Sequence, residues 1–122
     1  MRTWTSAGTT ATVAVVLGLC GALIHRANAA TTDIFVCTPV TVASFANRVA
    51  VYCNPPDGAI NFFAVCTAPD LAWAARALSL FATAKVANKD LNIYFNPADT
   101  SGASCGCQTA DCRAITGVEI RP

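Results

Sequence analysis

The cysteines constrain this chain more than any other feature. Seven occur in 122 residues, and three of them, Cys105, Cys107 and Cys112, fall within the single stretch SCGCQTADCR. They can be metal ligands, a redox centre or covalent staples, and the compartment decides between these roles. The N-terminus sets the compartment. It reads MRTWTSAGTTATVAVVLGLCGALIHRANAA, with Arg2 ahead of an apolar run over 11–24 and a small-x-small site at Ala27-Asn28-Ala29. The run has the length of a signal-peptide core and is too short to span a bilayer. Residues 1–29 are therefore expected to be a signal peptide, and residues 30–122 a single exported domain, secreted or periplasmic, with no stable membrane span after cleavage. Cys20 follows Leu19, where a lipid-carrying cysteine wants a small residue, so it reads as filler of the signal core.

Removing 29 of the 122 residues leaves 93, one small domain. Arg2 and Arg26 go with the leader, leaving six basic residues against seven acidic ones. His25, the only histidine, goes as well. Six cysteines remain: Cys37, Cys53, Cys66, Cys105, Cys107 and Cys112. An even number in a short exported chain is the pattern of a disulfide framework, and a domain this small gains much from such staples. Zinc wants about four Cys or His ligands, and no mature histidine exists. A redox dithiol prefers C-x-x-C, whereas the spacings here are C-G-C and C-Q-T-A-D-C. Cys105 and Cys107 are too close in sequence to pair without strain, so Cys107–Cys112 is the preferred local bridge. Six cysteines admit many connectivities, and the pairing carried forward for the others is Cys37–Cys53 with Cys66–Cys105. No metal or cofactor is expected.

The order of elements is legible from periodicity. A β-branched stretch over 33–42 reads as a strand, with Pro39 implying an edge or a bend. Residues 48–53 alternate, placing Val49, Val51 and Cys53 on one face. Asn54-Pro55-Pro56-Asp57-Gly58 signals a turn. Residues 60–66, INFFAVC, are apolar on both faces, as in a covered strand. Thr67-Ala-Pro-Asp reads as a helix start with Thr67 as N-cap, and the helix runs over 68–87. A strand over 90–96 turns Leu91, Ile93 and Phe95 inward. The last strand, 112–120, is expected to place Cys112, Ala114, Val118 and Ile120 on one face.

The helix carries an anomaly. Between Leu71 and Ala87 its only polar residues are Arg76, Ser79, Thr83 and Lys85. The first three form one narrow stripe, and the rest is apolar, although a helix on a sheet needs an apolar arc of only about 100°. Either loops cover the surplus or a second subunit does. A homo-oligomer is the expectation taken forward, with Arg76, Ser79 and Thr83 facing solvent or a central pore.

Three strands, a helix and two strands is the element order of an OB-fold. The fold class expected is α+β: an OB-type, five-stranded, partly open barrel with one helix between strands 3 and 4, stapled by disulfides. At this level the stretch INFFAVCTAPDLAWAARALSLFATAKVANKDLNIYF, with Cys107 and Cys112, resembles the pentameric B subunits of bacterial A–B toxins, of the subtilase-cytotoxin and pertussis-type group. It also resembles small exported bacterial proteins that end in a segment like PADTSGASCGCQTADCR. The toxin resemblance implies a ring of subunits, helices around a central pore and recognition of a host glycan on the outer barrel. No sugar-contacting position around 40–47 carries over.

Chemistry points to binding. Without a mature histidine the usual Ser-His-Asp and Cys-His arrangements are absent. Asp99 and Asp111 read as turn residues. A near-neutral mature chain lacks the basic groove that nucleic acid wants. Arg48 with Tyr52, and Asn92 with Tyr94, are the best outward-facing polar-aromatic pairs and the candidate ligand contacts. The expected function is that of an exported, non-catalytic binding protein, an oligomeric glycan-binding or toxin-B-like subunit. The alternative is a monomeric periplasmic or secreted accessory or inhibitor protein that binds a protein partner. Terminal sequencing of the protein recovered from an exporting host should begin at Ala30, within a residue or so; an intact Met1 on the soluble protein would remove the export reading.

Overall fold

A computed structural model describes residues 31–122. The expected signal peptide lies outside the described residues. The elements are β1 (Asp33–Cys37), β2 (Pro39–Ser44), β3 (Arg48–Asp57), β4 (Ile60–Cys66), α1 (Leu71–Ala87), β5 (Leu91–Phe95), a 3-10 helix (Ser101–Cys105) and β6 (Cys112–Ile120). The domain is α+β, with one helix and one mixed sheet in the order β1-β5-β6-β4-β3-β2. Neighbours are antiparallel except β4 and β6, which are parallel.

The strand count corrects the five expected, and the helix accordingly follows the fourth strand. The single strand expected over 33–42 breaks at Thr38, where Pro39 brings a fixed φ and no N–H. Its two halves part company: β1 pairs with β5, β2 with β3, and they lie at opposite ends of the sheet. The corner is locked by the Cys37–Cys53 bridge and by Asn54 N–H donating to Thr38 O at 3.2 Å. Two further corrections concern proline and phase. β3 does not stop at Cys53 but continues through Pro55 and Pro56 to Asp57, with a cis Asn54–Pro55 bond and the turn confined to Gly58-Ala59. In β6 a register shift opposite Tyr94 and Phe95 inserts an extra residue. Such a bulge reverses the alternation. Cys112 thus joins Ala50, Ala64 and Cys107 in a small outer cluster, while Val118 and Ile120 pack against the main core.

The main core is built on the inner faces of β3, β4 and β5. Val49, Val51 and Cys53, then Leu91, Ile93 and Phe95, are buried as their alternation predicts. Phe63 sits at the centre, stacked on Phe35 at 5.4 Å and edge-on to Phe95 at 5.0 Å. Deleting a side chain this buried costs about 3–5 kcal/mol. α1 closes the core with Ala74, Ala77, Phe81 and Ala84. Small residues on that face let the helix approach the sheet closely, chiefly against β2 and β3. The helix starts later than expected: Asp70, not Thr67, is the N-cap, its carboxylate accepting from Trp73 N at 2.8 Å. Thr67 instead ties the chain to the β2–β3 turn, donating its N–H to Asn47 O at 3.0 Å. Asn88 ends the helix in the left-handed conformation.

The three bridges are Cys37–Cys53, Cys66–Cys105 and Cys107–Cys112, the same pairs the sequence suggested. Their separations of 16, 39 and 5 residues set how far each restricts the unfolded chain. Loop-closure entropy predicts losses of about 3, 4 and 2 kcal/mol respectively when each pair is replaced by alanine. Denaturant unfolding of the three double variants should rank Cys66–Cys105 as the most costly. Peptide mapping without reduction should recover these three linkages and no free thiol.

Candidate functional site

The outer face of β3 and β4 carries Arg48, Tyr52 and Phe62 beside a small buried cluster of Ala50, Ala64, Cys107 and Cys112. The segment between β5 and β6 folds over this face and is sutured to it. Cys66–Cys105 fastens the 3-10 helix to the end of β4, and Cys107–Cys112 closes the following loop on the start of β6. Asp111 O accepts from both Asn61 N and Phe62 N at 3.0 Å. Arg113 draws the loop together from inside, donating from Nε to Pro97 O at 2.6 Å and from Nη1 to the carbonyls of Thr109 and Cys112 at 2.7 Å each. Asp99 starts the 3-10 turn by accepting from Ser101 N at 2.8 Å. That backbone hydrogen bond, with the Ser101 side chain adding to it, holds the Asp99 carboxyl below its ordinary value.

Beside the fastened loop lies a cleft of about 240 Å³, lined by Phe45, Arg48, Phe62, Gly106, Gln108, Asp111 and Cys112. Arg48 is its centre. Its guanidinium stands 4.2 Å over the Phe45 ring, and Nη1 donates to Cys105 O at 3.0 Å and to Asn47 Oδ1 at 3.4 Å. Among the described residues these partners are a ring, a carbonyl and an amide oxygen, so they position the cation without neutralising it. Gly106 makes the arrangement possible. It adopts φ +86°, and a Cβ there would come within 2.5 Å of Arg48 Nη1. Phe45 and Phe62 are exposed, and Tyr52 lies 5.0 Å from Phe62. The cleft therefore offers apolar rings beside a guanidinium, a carboxamide and a carboxylate. That mixture suits a ligand with an apolar face and a polar rim. Its volume falls below the roughly 300 Å³ at which drug-sized pockets begin, so it fits one small unit.

The four candidate contacts read from the sequence do not form one site. Arg48 lines the cleft, and Tyr52 borders it through Phe62. Asn92 and Tyr94 lie on β5, separated from β4 by β6. They converge instead on Glu119 Oε1, with Asn92 Nδ2 donating at 2.6 Å and Tyr94 Oη at 2.9 Å. Arg76, Ser79 and Thr83 are exposed on α1. Phe45, Phe62, Gln108 and Glu119 were not singled out in the sequence. The one signal for Phe62 was that β4 is apolar on both faces, which left its outer residues in need of a role.

A second, apolar groove of about 470 Å³ runs between the β2–β3 turn and the first turns of α1, past Phe45, Val49, Leu71, Ala75 and Leu78. Leu71 on its rim is 70% exposed. Among the described residues no group of His, Cys, Asp and Glu could hold a metal ion, and no helix is long and apolar enough to cross a membrane. Comparison with protein-family models, curated proteins and solved structures returns no match.

The Glu119 cluster makes a pH prediction. The hydrogen bond from Asn92, then that from Tyr94, lowers the Glu119 carboxyl from 4.5. The bond to Glu119 raises the Tyr94 phenol from 10.0. The signs follow from linkage. A lowered carboxyl stabilises the fold above its unfolded value, and this is lost as pH falls through the lowered value. A raised phenol stabilises the fold below about 10, and this is lost as pH rises through the raised value. The chain has two tyrosines, so Tyr52→Phe leaves Tyr94 as the sole phenol. Its ultraviolet titration should lie above the ordinary tyrosine range and return toward it when Glu119→Gln is added.

Proposed function

We propose that this is an exported, non-catalytic binding domain of OB type, and that the Arg48 cleft is its ligand site. On this reading β1 and β2 are two halves of one bent strand joined at Thr38. Counting them as a single strand, the sheet order becomes 1-4-5-3-2-1, which returns to its own first strand as a five-stranded, partly open barrel does. The helix then follows strand 3. Barrels of this type bind oligosaccharides and oligonucleotides on the face of strands 2 and 3, between the loop after strand 1 and the loop after strand 4. The observation that carries the reading is the position of the cleft. Phe45 lies in the first of those loops, Gly106, Gln108 and Asp111 in the second, and Arg48 and Phe62 on the strands between them.

The ligand class proposed is a glycan. Exposed rings stack on the apolar face of a sugar, while the guanidinium, carboxamide and carboxylate meet its hydroxyls. The near-neutral mature chain gives no support to a polyanion such as nucleic acid. The three bridges fit an oxidising compartment, outside the cell or in a periplasm. Assembly into a ring, as in toxin B subunits, belongs to the same proposal. Its support is the apolar groove beside α1, with Leu71 on its rim and Phe45 exposed.

Glycan-array binding tests the reading. Wild-type protein should bind a restricted set of glycans, and Phe62→Ala and Arg48→Gln should each weaken that binding about tenfold or more, the effect of losing one stacking or charged contact. Gly106→Ala should act like Arg48→Gln by displacing the guanidinium. An array showing no binding by the folded protein, or binding untouched by these variants, would remove the cleft as a glycan site. Sedimentation velocity tests the assembly: a wild-type monomer at micromolar concentration would leave the accessory-protein reading in its place.

A further inference from the structure

The face formed by β1, β5 and β6 is separate from the cleft and has its own chemistry. Its register places side chains in two rows. Ile34 lies beside Tyr94 and Tyr94 beside Gly117; Val36 lies beside Asn92 and Asn92 beside Glu119. Ile34 and Val36 are 61% and 40% exposed on the terminal strand of the sheet. Tyr94 packs over Gly117 at the centre of the face, where even a Cβ would meet Tyr94 Cβ and Cδ2 in ordinary contact at 3.4 Å. From that position its hydroxyl reaches Glu119.

Glu119 is thereby oriented but not neutralised. Among the described residues both of its hydrogen bonds come from neutral donors, and both end on Oε1. Neither bond uses Oε2, and the Tyr94 ring belongs to the residue that orients its partner oxygen. A carboxylate beside an aromatic ring is the pairing that attracts a cationic side chain, through charge and through the ring quadrupole together. The two exposed aliphatic side chains at one end of the rows suit an apolar neighbour of that cation. We propose that the β1–β5–β6 face is a docking surface for a protein partner that presents an arginine or lysine flanked by aliphatic residues. The cation meets Glu119 Oε2 and Tyr94, and the aliphatic residues lie on Ile34 and Val36. The surface does not involve the Arg48 cleft and stands whether or not that cleft binds a glycan.

The probe is a short blocked peptide, Leu-Arg-Leu, titrated into the isotope-labelled domain and followed by NMR. Its control is the same peptide with citrulline, which keeps the shape and removes the charge. The arginine peptide should shift the resonances of Asn92, Tyr94, Glu119, Ile34 and Val36, and the citrulline peptide should bind about tenfold more weakly. Glu119→Gln keeps an oxygen acceptor for Asn92 and Tyr94, so the fold is retained, and it should weaken the arginine peptide by a similar factor. Equal shifts from both peptides, shifts confined to the Arg48 cleft, or no shifts on this face would overturn the proposal. So would a change in oligomeric state on Glu119→Gln, because it would make the face a contact between copies of this chain.

Discussion

A single residue, Thr38, joins the two ends of the sheet, and the shape of the domain follows from that connection. Six strands laid flat at about 4.8 Å spacing would separate the outermost pair by roughly 24 Å. The end of β1 and the start of β2 are two residues apart, a reach of about 7 Å. The sheet must therefore curl until its edges approach. Curling creates an interior, and Phe63, Phe95, Leu91 and Ile93 fill it. Pro39 supplies the break that turns the chain, and Cys37–Cys53 holds the corner to β3. The helix covers the interior with alanines because a curled sheet leaves it little room. Ala74, Ala77 and Ala84 bring its backbone close, Phe81 is its one fully buried large side chain, and Trp73 and Leu78 pack partly against the same core.

The same alanines explain why the helix looked anomalous as a sequence. Ala72, Ala75, Ala82 and Ala87 face outward, and each counts as apolar although exposing a methyl group costs little. What distinguishes the outer surface is the large residues, Leu71 at 70% exposure and Val86 at 89%. They stand 15 positions apart, about 22 Å along the axis, so they do not form one stripe. Only the Leu71 end continues into an apolar groove, shared with Phe45 and Leu78. An assembly built on this helix would use its first turns and leave Arg76, Ser79 and Thr83 to water. That is a narrower requirement than a cylinder apolar on all sides.

Local pattern reached the strands whose side chains alternate without interruption. The inward phases of β3 and β5 were legible in Val49-x-Val51-x-Cys53 and Leu91-x-Ile93-x-Phe95 because one face of each is buried. The local bridge was legible from the spacing of Cys107 and Cys112. Interruptions were not. Pro39 marks a bend, but nothing local says that its two sides pair with different strands. Pro55-Pro56 reads as a turn, yet β3 carries it across a register shift in which no residue between Tyr52 and Asp57 is paired with β4. The phase of β6 changes at a bulge between Ile115 and Gly117, set by the pairing of Gly117 with Tyr94 on β5, a relation across 23 residues. The cleft was least legible of all. Of its lining only Arg48 was foreseen, because Phe45, Phe62, Gln108 and Asp111 meet only when the bridged loop lies across β4.

That bridged loop has a consequence for any ligand of the cleft. Loops that bind by closing must lose conformational freedom as they do so, and this weakens the complex. Here the loss has already occurred on folding. Cys66–Cys105, Cys107–Cys112, the three donations of Arg113 and the acceptance by Asp111 O fix the segment before a ligand arrives. Arg48 is likewise held by Phe45 below it and Cys105 O beside it. A cleft of this size offers few contacts, so affinity from one copy has to come from positions that are already set. Reduction of Cys66–Cys105 would release both the loop and the carbonyl that orients Arg48. The bridge with the largest expected effect on stability is thus also the one on which the geometry of the cleft depends.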